Sequence, residues 1–219
     1  MSGSLNTKGF GKADKFGSLV SDAAACSLCP ALCERRAVLS ELNGKPSANV
    51  LFIAEAPGRQ GGDRTGVPLS GDQSGRNFTR FLATTGLPRH RIFITNAVLC
   101  NPRTPTGANR TPKQTEIANC SAFLRRQLEI VNPTVVVTLG RVALDALRRI
   151  QNHPLTLQHN AGQIHEWGGR LLVPLYHPSP QVLASHRREA EQLADYAAVK
   201  RAVRTLQQAK LNIRHRTSE

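Results

Sequence analysis

Alternation of short apolar runs with helical patterns constrains the fold of this chain more than any other sequence feature. Four runs rich in apolar residues are bounded by turn residues, at 49–54, 91–98, 134–139 and 170–175. Such runs are typical of strands that are buried in a parallel sheet. Helical patterns lie between and after them, at 74–85, 111–131, 141–150 and 180–208. Because parallel strands need helical crossovers, the sequence predicts a three-layer α/β/α sandwich around a mainly parallel four-stranded sheet.

The length of 219 residues fits one domain, which we place at 19–210. A chain of this size buries roughly 70% of its unfolded surface on folding, enough for a substantial core. Residues 1–18 are rich in Gly, Ser and Lys, and we expect them to form a flexible N-terminal arm. We assign 211–219 to a basic C-terminal tail.

The charge of the chain is strongly positive, with 29 Lys and Arg against 15 Asp and Glu and a net charge of +14. Basic side chains gain free energy by displacing counterions from phosphates, so the expected partner is nucleic acid. A basic surface that serves only solubility is the alternative. No apolar run approaches the roughly 20 residues of a membrane helix, and the N-terminus lacks the apolar stretch of a signal peptide. We expect a soluble cytoplasmic monomer, associated with the nucleoid through DNA and without a membrane partner.

Chemically capable residues follow the predicted strands. Glu55 opens a glycine-rich turn after the first strand, Asn96 ends the second, and His177 stands between the fourth strand and two prolines. Ligands of such folds bind beyond the carboxyl ends of the strands, so these residues are expected to share one cleft. A carboxylate there can orient water, and an imidazole can donate to a developing anion. Alternatively, Glu55 neutralises an arginine and His177 is structural.

Cysteine spacing indicates a metal site. Cys26 and Cys29 form a Cys-x2-Cys clip, and Cys100 and Cys120 would complete four ligands from a distant part of the chain. Zinc and an iron–sulfur cluster both accept four thiolates, so spacing leaves both open. Cys33 is interpreted as an inert thiol.

Several common catalytic patterns are missing from the sequence. The glycines after Glu55 fit neither G-x-G-x-x-G nor the phosphate loop G-x-x-x-x-G-K-[ST], and neither H-E-x-x-H nor G-x-S-x-G occurs. This argues against a protease or an esterase. A nucleotide hydrolase or phosphotransferase stays open as a rival class; such an enzyme usually needs Mg²⁺ and would lose activity to a chelator.

The order of these motifs resembles that of the iron–sulfur uracil-DNA glycosylases, families four and five of their superfamily. The resemblance covers about 26–208. It rests on "AEAPG", "TNAVLC" and "TEIANC" for family four, and on "DRTGVPLSGDQSG" and "HPSP" for family five. It implies the uracil-DNA glycosylase fold and removal of uracil, and of other deaminated bases by extension, from DNA as the first step of base excision repair. A weak or inactive iron–sulfur relative that binds DNA is the alternative.

The resemblance also implies residue roles. A structural [4Fe–4S] cluster is assigned to Cys26, Cys29, Cys100 and Cys120. Glu55 or Asp72 stabilises the cationic sugar and places a water, and His177 donates to uracil O2. The base pocket is assigned to Ala56, Pro57, Gly58, Leu69, Asn96 and, as the fallback reader of the base edge, Asn109. The DNA-binding set is Arg64, Ser74, Pro178, Ser179, Pro180, Gln181, Arg187 and Arg188.

Three departures from the family patterns stand out. Leu69 occupies the place of the aromatic residue that stacks on the flipped uracil. Ala56 stands where the best-known uracil glycosylases carry a water-activating aspartate. That aspartate is absent from families four and five as well. The segment 106–114 lacks the histidine of a related branch that bonds covalently to DNA.

Overall fold

The computed structural model describes residues 11–32 and 34–216 and contains a five-stranded sheet in the order β2-β1-β3-β5-β4. The strands are β1 (Val50–Ala54), β2 (Ile92–Asn96), β3 (Val135–Leu139), β4 (His165–Trp167) and β5 (Arg170–Leu175). Neighbours from β2 to β5 are parallel, whereas β4 pairs antiparallel with β5. The predicted sheet of mainly parallel strands is confirmed, but its number of strands was one too few.

The missed strand is the edge hairpin β4–β5. Its three residues are too few for an apolar run, and only Trp167 is buried. The turn consists of Gly168 and Gly169, with φ angles of 56° and 72°. Glycine adopts left-handed backbone of this kind readily. These two glycines can therefore form a two-residue turn that joins the antiparallel strands.

Helices cover both faces of the sheet. They are α1 (Lys12–Ala24), α2 (Gly62–Thr65), α3 (Gln73–Thr85), α4 (Gln114–Val131), α5 (Arg141–Leu147), α6 (Leu157–Asn160), α7 (Pro180–Ser185) and α8 (Glu189–Arg216). Two 3₁₀ turns occupy Glu41–Asn43 and Arg89–Arg91. Alternation along β1 separates two cores: Leu51 and Ile53 pack under α1, α4 and α5, whereas Phe52 packs under α3 and α8. The three-layer prediction is therefore confirmed.

The predicted N-terminal arm is wrong from residue 12 onward, because α1 begins there. Phe16 and Leu19 are buried, and Phe16 packs edge-on against Phe93 with ring centroids 5.5 Å apart. The Gly, Ser and Lys content hid an apolar stripe at helical spacing. Residues 1–10 of the arm lie outside the described residues. At the other end α8 continues to Arg216, so most of the predicted tail is helical.

The long helix expected at 180–208 is two helices. Residues 186–188 interrupt it, and the Arg188 amide donates to the Glu191 carboxylate at 2.8 Å, which starts α8. The Arg187 guanidinium turns back onto Asp195, with N–O distances of 3.0 and 2.7 Å. In the part of the chain that the structure describes, no helix has the length and apolar character needed to cross a bilayer.

Candidate active site

A polar cavity of about 410 Å³ lies at the carboxyl edge of the parallel strands. Loops after β1, β2 and β5 meet there with the first turn of α3, as the topology predicts. The predicted catalytic and base-pocket residues all line it: Glu55, Ala56, Pro57, Gly58, Leu69, Asp72, Asn96, Asn109 and His177. Ser74, Ser179 and Gln181 of the predicted DNA-binding set line it as well.

Glu55 is half-buried directly after β1. Burial raises the pKa of its carboxyl group, and the nearby positive charge of Arg141 opposes this shift. Arg141 belongs to a second cavity, of about 520 Å³, which shares Glu55, His177 and Val182 with the first. Glu55 therefore stands between the two cavities, and its charge depends on the arginine in the second one.

Asp72 forms the N-cap of α3. One carboxylate oxygen accepts from the Gly75 amide at 2.8 Å. The other faces the glycine turn, where a Cβ added to Gly61 would lie 2.3 Å from it. A side chain at position 61 would collide with this oxygen, so the close approach requires glycine. Because its first oxygen caps α3, Asp72 stabilises the fold in addition to any role in chemistry.

His177 follows β5, and burial lowers the pKa of its imidazole to about 4, against the opposing influence of Asp72. The ring is therefore neutral near pH 7, so one nitrogen is a donor. Its backbone is fixed from two sides: Gln192 donates to the His177 carbonyl at 3.4 Å, and Asn77 donates to the carbonyl of Pro178 at 2.9 Å.

Asn96 ends β2 and is 3% exposed. Its side-chain Nδ2 is buried and, within the described residues, has no hydrogen-bond partner. A buried amide without a partner costs free energy, and a ligand with an acceptor in the cavity would satisfy it.

Leu69 lines the cavity and has a left-handed backbone conformation, with a φ of 50°. Among the described residues that line the cavity, none is Phe, Tyr or Trp. The aromatic residues nearest to Leu69 in sequence, Phe78 and Phe81, are buried in the core, and so is Phe93. In the part of the chain that the structure describes, no aromatic ring therefore takes the place of the one that Leu69 lacks.

The predicted DNA-binding residues divide into two groups. Pro180, Gln181 and Arg188 are exposed on α7 and just after it, and exposed Arg64 donates to the carbonyls of Gln60 and Gly71. In contrast, Arg187 is paired with Asp195, Ser179 caps α7 through the Val182 amide at 3.4 Å, and Pro178 is buried. The second group stabilises the loop rather than extending from it.

Sequence reasoning missed Asn101, which is fully buried and lines the cavity. Its side-chain Nδ2 donates to the Pro57 carbonyl at 2.6 Å and to the Asn109 side chain at 3.0 Å. Asn101 lies in the loop between β2 and α4, next to Cys100, and its contact with Pro57 arises only when this loop meets the turn after β1.

The four cysteines predicted as ligands lie within electrostatic reach of one another. Burial, followed by the influence of the other three thiols, raises the pKa of Cys100 to about 12. The pKa of Cys120 is raised to about 11, chiefly by burial. The Leu99 amide points at the Cys120 sulfur at 3.5 Å, and the Asn119 side chain donates to the Cys29 sulfur at 3.4 Å. Within the described residues no group of three or more His, Cys, Asp or Glu side chains is arranged so that it could hold a metal ion. Cys33 lies outside those residues.

Fold and cavity together define a parallel α/β protein that has a preformed polar pocket beyond its strand ends, lined by carboxylates, an amide and a neutral imidazole. The family model of the uracil DNA glycosylase superfamily matches residues 43–206, and the chain belongs to that superfamily.

Curated relatives of two types are similar to this chain. A type-4 uracil-DNA glycosylase of Thermotoga maritima is 34% identical over 155 residues, which cover 70% of this chain and 76% of the relative. One of Saccharolobus solfataricus is 35% identical over 173 residues, or 76% of each chain. A type-5 uracil-DNA glycosylase of Pyrobaculum aerophilum is 29% identical over 208 residues, covering 82% of this chain and 89% of the relative.

Proposed function

We propose that this protein is a DNA glycosylase that hydrolyses the N-glycosidic bond of uracil in DNA. Its membership of the superfamily and its similarity to curated enzymes of types 4 and 5 support this activity. One observation at the site carries the proposal. Within the described residues, the buried Nδ2 of Asn96 has no hydrogen-bond partner, and Asn96 lines the cavity that also holds Glu55 and His177.

Recognition is assigned to Asn96. Uracil presents a carbonyl at O4 beside an imide N–H, so an amide can donate to the first and accept from the second. Cytosine has an amino group in place of O4 and an unprotonated nitrogen in place of the imide. Its edge would therefore set a donor against the amide N–H and an acceptor against the amide oxygen. A base inside the duplex cannot reach such a pocket, and the nucleotide must therefore be flipped out.

Bond cleavage is assigned to Glu55, Asp72 and His177. As the glycosidic bond breaks, the sugar becomes cationic and the bonding electrons leave with the uracil. A carboxylate near the sugar stabilises the cation and orients the attacking water, for which Glu55 is the better candidate because one oxygen of Asp72 caps α3. Neutral His177 donates to uracil O2 as negative charge builds there; one such preorganised donor contributes roughly 10²- to 10³-fold in rate.

The DNA surface is assigned to exposed Pro180 and Gln181 on α7, which would enter the vacated stack, and to Arg64 and Arg188 for phosphate contacts. All four residues are exposed, and Gln181 also lines the cavity. The net charge of +14 supports the same partner.

A [4Fe–4S] cluster is assigned to Cys26, Cys29, Cys100 and Cys120. The four-thiol donor set fits such a cluster, and the N–H groups that point at the sulfurs of Cys29 and Cys120 suit thiolate ligands. Zinc would accept the same four thiolates. When bound, the cluster would cross-link the N-terminal clip to the sheet, and hydrolysis requires no electron transfer from it.

The activity is tested with a duplex oligonucleotide that carries one uracil. We expect abasic sites, detected as strand breaks after alkali, in the presence of EDTA. Intact oligonucleotide with wild-type protein would refute the proposal. Activity that required added Mg²⁺ would favour a phosphoryl-transfer reaction instead.

A further inference from the structure

Two loops meet at a single buried side chain beside the cavity: the turn after β1, at Pro57, and the loop between β2 and α4. Asn101 is fully buried, follows the segment after β2, and lines the cavity. It directly follows Cys100 in the chain. Neither the family motifs described above nor the proposed reaction gives this residue a role.

The amide of Asn101 has partners on both of its ends. Nδ2 donates to the carbonyl of Pro57 at 2.6 Å and to Oδ1 of Asn109 at 3.0 Å, while Oδ1 accepts from Nε of Arg103 at 2.5 Å. These partners fix the orientation of the amide, because a flip would place its oxygen against two acceptors.

These hydrogen bonds extend to the cavity wall. Asn109, held by Asn101, accepts from the Arg59 amide at 3.0 Å. Pro57, the other acceptor, lies between Ala56 and Gly58 in the turn that closes over the pocket. Asn101 is thereby connected twice to the turn that follows Glu55: directly at Pro57, and through Asn109 at Arg59.

We propose that Asn101 is the positioning residue of the base pocket: its buried amide holds the turn at Pro57 to the loop at Asn109, and so sets the shape in which the flipped base is received. It touches the wall rather than the reacting atoms. This inference rests on the proposed function for its catalytic consequence, whereas the order of the turn does not depend on activity.

The decisive variant is Asn101→Asp, which keeps the size and the acceptor for Arg103 but replaces the donor with an oxygen facing two acceptors. We expect kcat/KM for uracil excision to fall about tenfold or more, as when a buried hydrogen-bonded group loses its partner. Affinity for undamaged duplex should stay unchanged. Hydrogen exchange at the Arg59 amide should accelerate at least about tenfold, while amides of α4 keep their protection.

Gln127→Leu is the matched control, since Gln127 is also a fully buried amide, on α4, and donates to the Phe123 carbonyl at 3.1 Å away from the cavity. It should leave both the exchange at Arg59 and kcat/KM unchanged. Asn101→Leu, which removes all three bonds without a repulsive oxygen, should reproduce the change at Arg59.

Three results would overturn the inference. Loss of activity with unchanged exchange at Arg59 would make Asn101 a substrate contact. Unchanged activity with unchanged exchange would leave it without a role in the pocket. A general rise in exchange, in α4 as well as in the turn, would make it a stability residue only. If the wild type proves inactive on uracil, the proposed function fails by itself, and the exchange at Arg59 still decides whether Asn101 holds the turn.

Discussion

At the scale of single residues, the imidazole of His177 combines a half-buried position on the cavity wall with a neutral state. Its pKa of about 4 means that the ring is a neutral donor across the physiological range. We expect His177→Ala to slow excision by about 10²-fold or more while DNA affinity changes little, because the donor acts in the transition state. Single-turnover rates and binding to undamaged duplex separate the two effects.

A suitable control is His186→Ala, since His186 is exposed after α7 and bonds to Ser185 at 2.7 Å. It should leave the rate within about twofold of the wild type, as expected for a surface substitution. Equal losses in rate and in affinity for His177→Ala would instead assign that residue to DNA positioning.

Glu55 gives a prediction about pH. Burial raises the pKa of its carboxyl group above the usual 4.5. Because the ionised form is the active one, excision should fall as the pH drops through this raised pKa. Arg141 lowers the pKa of Glu55, so Arg141→Ala should raise it and move the acid limb to higher pH.

The matched control is Arg148→Ala, because Arg148 lines the same cavity and pairs with Asp145, as Arg141 does, but it is Arg141 that lowers the pKa of Glu55. Its acid limb should coincide with that of the wild type. A limb that persists unchanged in Glu55→Gln would show that another group controls it.

Leu69 gives the prediction about substrate range. Stacking on an aromatic ring contributes roughly 1–3 kcal/mol per base, and leucine offers no matching flat face. Because no Phe, Tyr or Trp is among the described residues that line the cavity, Leu69→Phe should raise uracil excision and narrow the range of bases, measured by uracil against hypoxanthine in paired oligonucleotides. Slower excision with unchanged selectivity would mean that Leu69 supports the wall from beneath.

How far the site could be predicted from sequence differs between these residues. Glu55, Asn96 and His177 were found because each follows a strand, and strand ends converge in any parallel sheet. The capping bond of Asp72 and the left-handed backbone of Leu69 were not predicted, since both depend on how the turn folds back on α3. The contacts of Asn101 likewise depend on two loops, after β1 and after β2, that meet only in the fold.

At the scale of elements, the junction of α7 and α8 separates two arginines that the sequence treated alike. Arg187 is bonded to Asp195 through two nitrogens and lies over the Tyr176 ring, 5.9 Å from its centroid, whereas Arg188 is exposed. We expect Arg187→Ala to lower the melting temperature, because it leaves a buried carboxylate unpaired. Arg188→Ala should instead weaken DNA binding and reduce its salt dependence.

Melting curves and the slope of log affinity against log salt measure the two effects on the same pair of variants. A reduced salt slope for Arg187→Ala with unchanged melting temperature would reverse the assignment. The sequence pattern does not distinguish these two arginines. It predicts a continuous helix through 186–188, and it does not indicate that Asp195 pairs with Arg187.

Element boundaries show the same limit in another form. The parallel strands were predicted to within two residues, because apolar runs buried on both faces leave a strong pattern. α1 and β4 were missed: one is amphipathic within a polar composition, and the other is three residues long at an edge. Both depend on tertiary packing for their existence, which local composition does not report.

At the scale of the whole molecule, the N-terminal segment reaches the sheet at two points. The helix α1 packs through Phe16 on Phe93, and the clip at Cys26 and Cys29 lies near Cys100, beyond the end of the same strand. The proposed cluster would join the clip to β2 and α4, and so would link distant parts of the sequence.

The global prediction is therefore that the purified protein is brown, absorbs broadly near about 400 nm, and contains iron with acid-labile sulfide. Cys100→Ser should remove the colour and lower the melting temperature, because a lost ligand releases the clip from the strand end. Cys33→Ser is the matched control, and colour and melting temperature should both be retained. Stoichiometric zinc without iron would contradict the cluster. A colourless Cys100→Ser variant that melts like the wild type would show instead that α1 and the hydrophobic core hold the N-terminal segment without it.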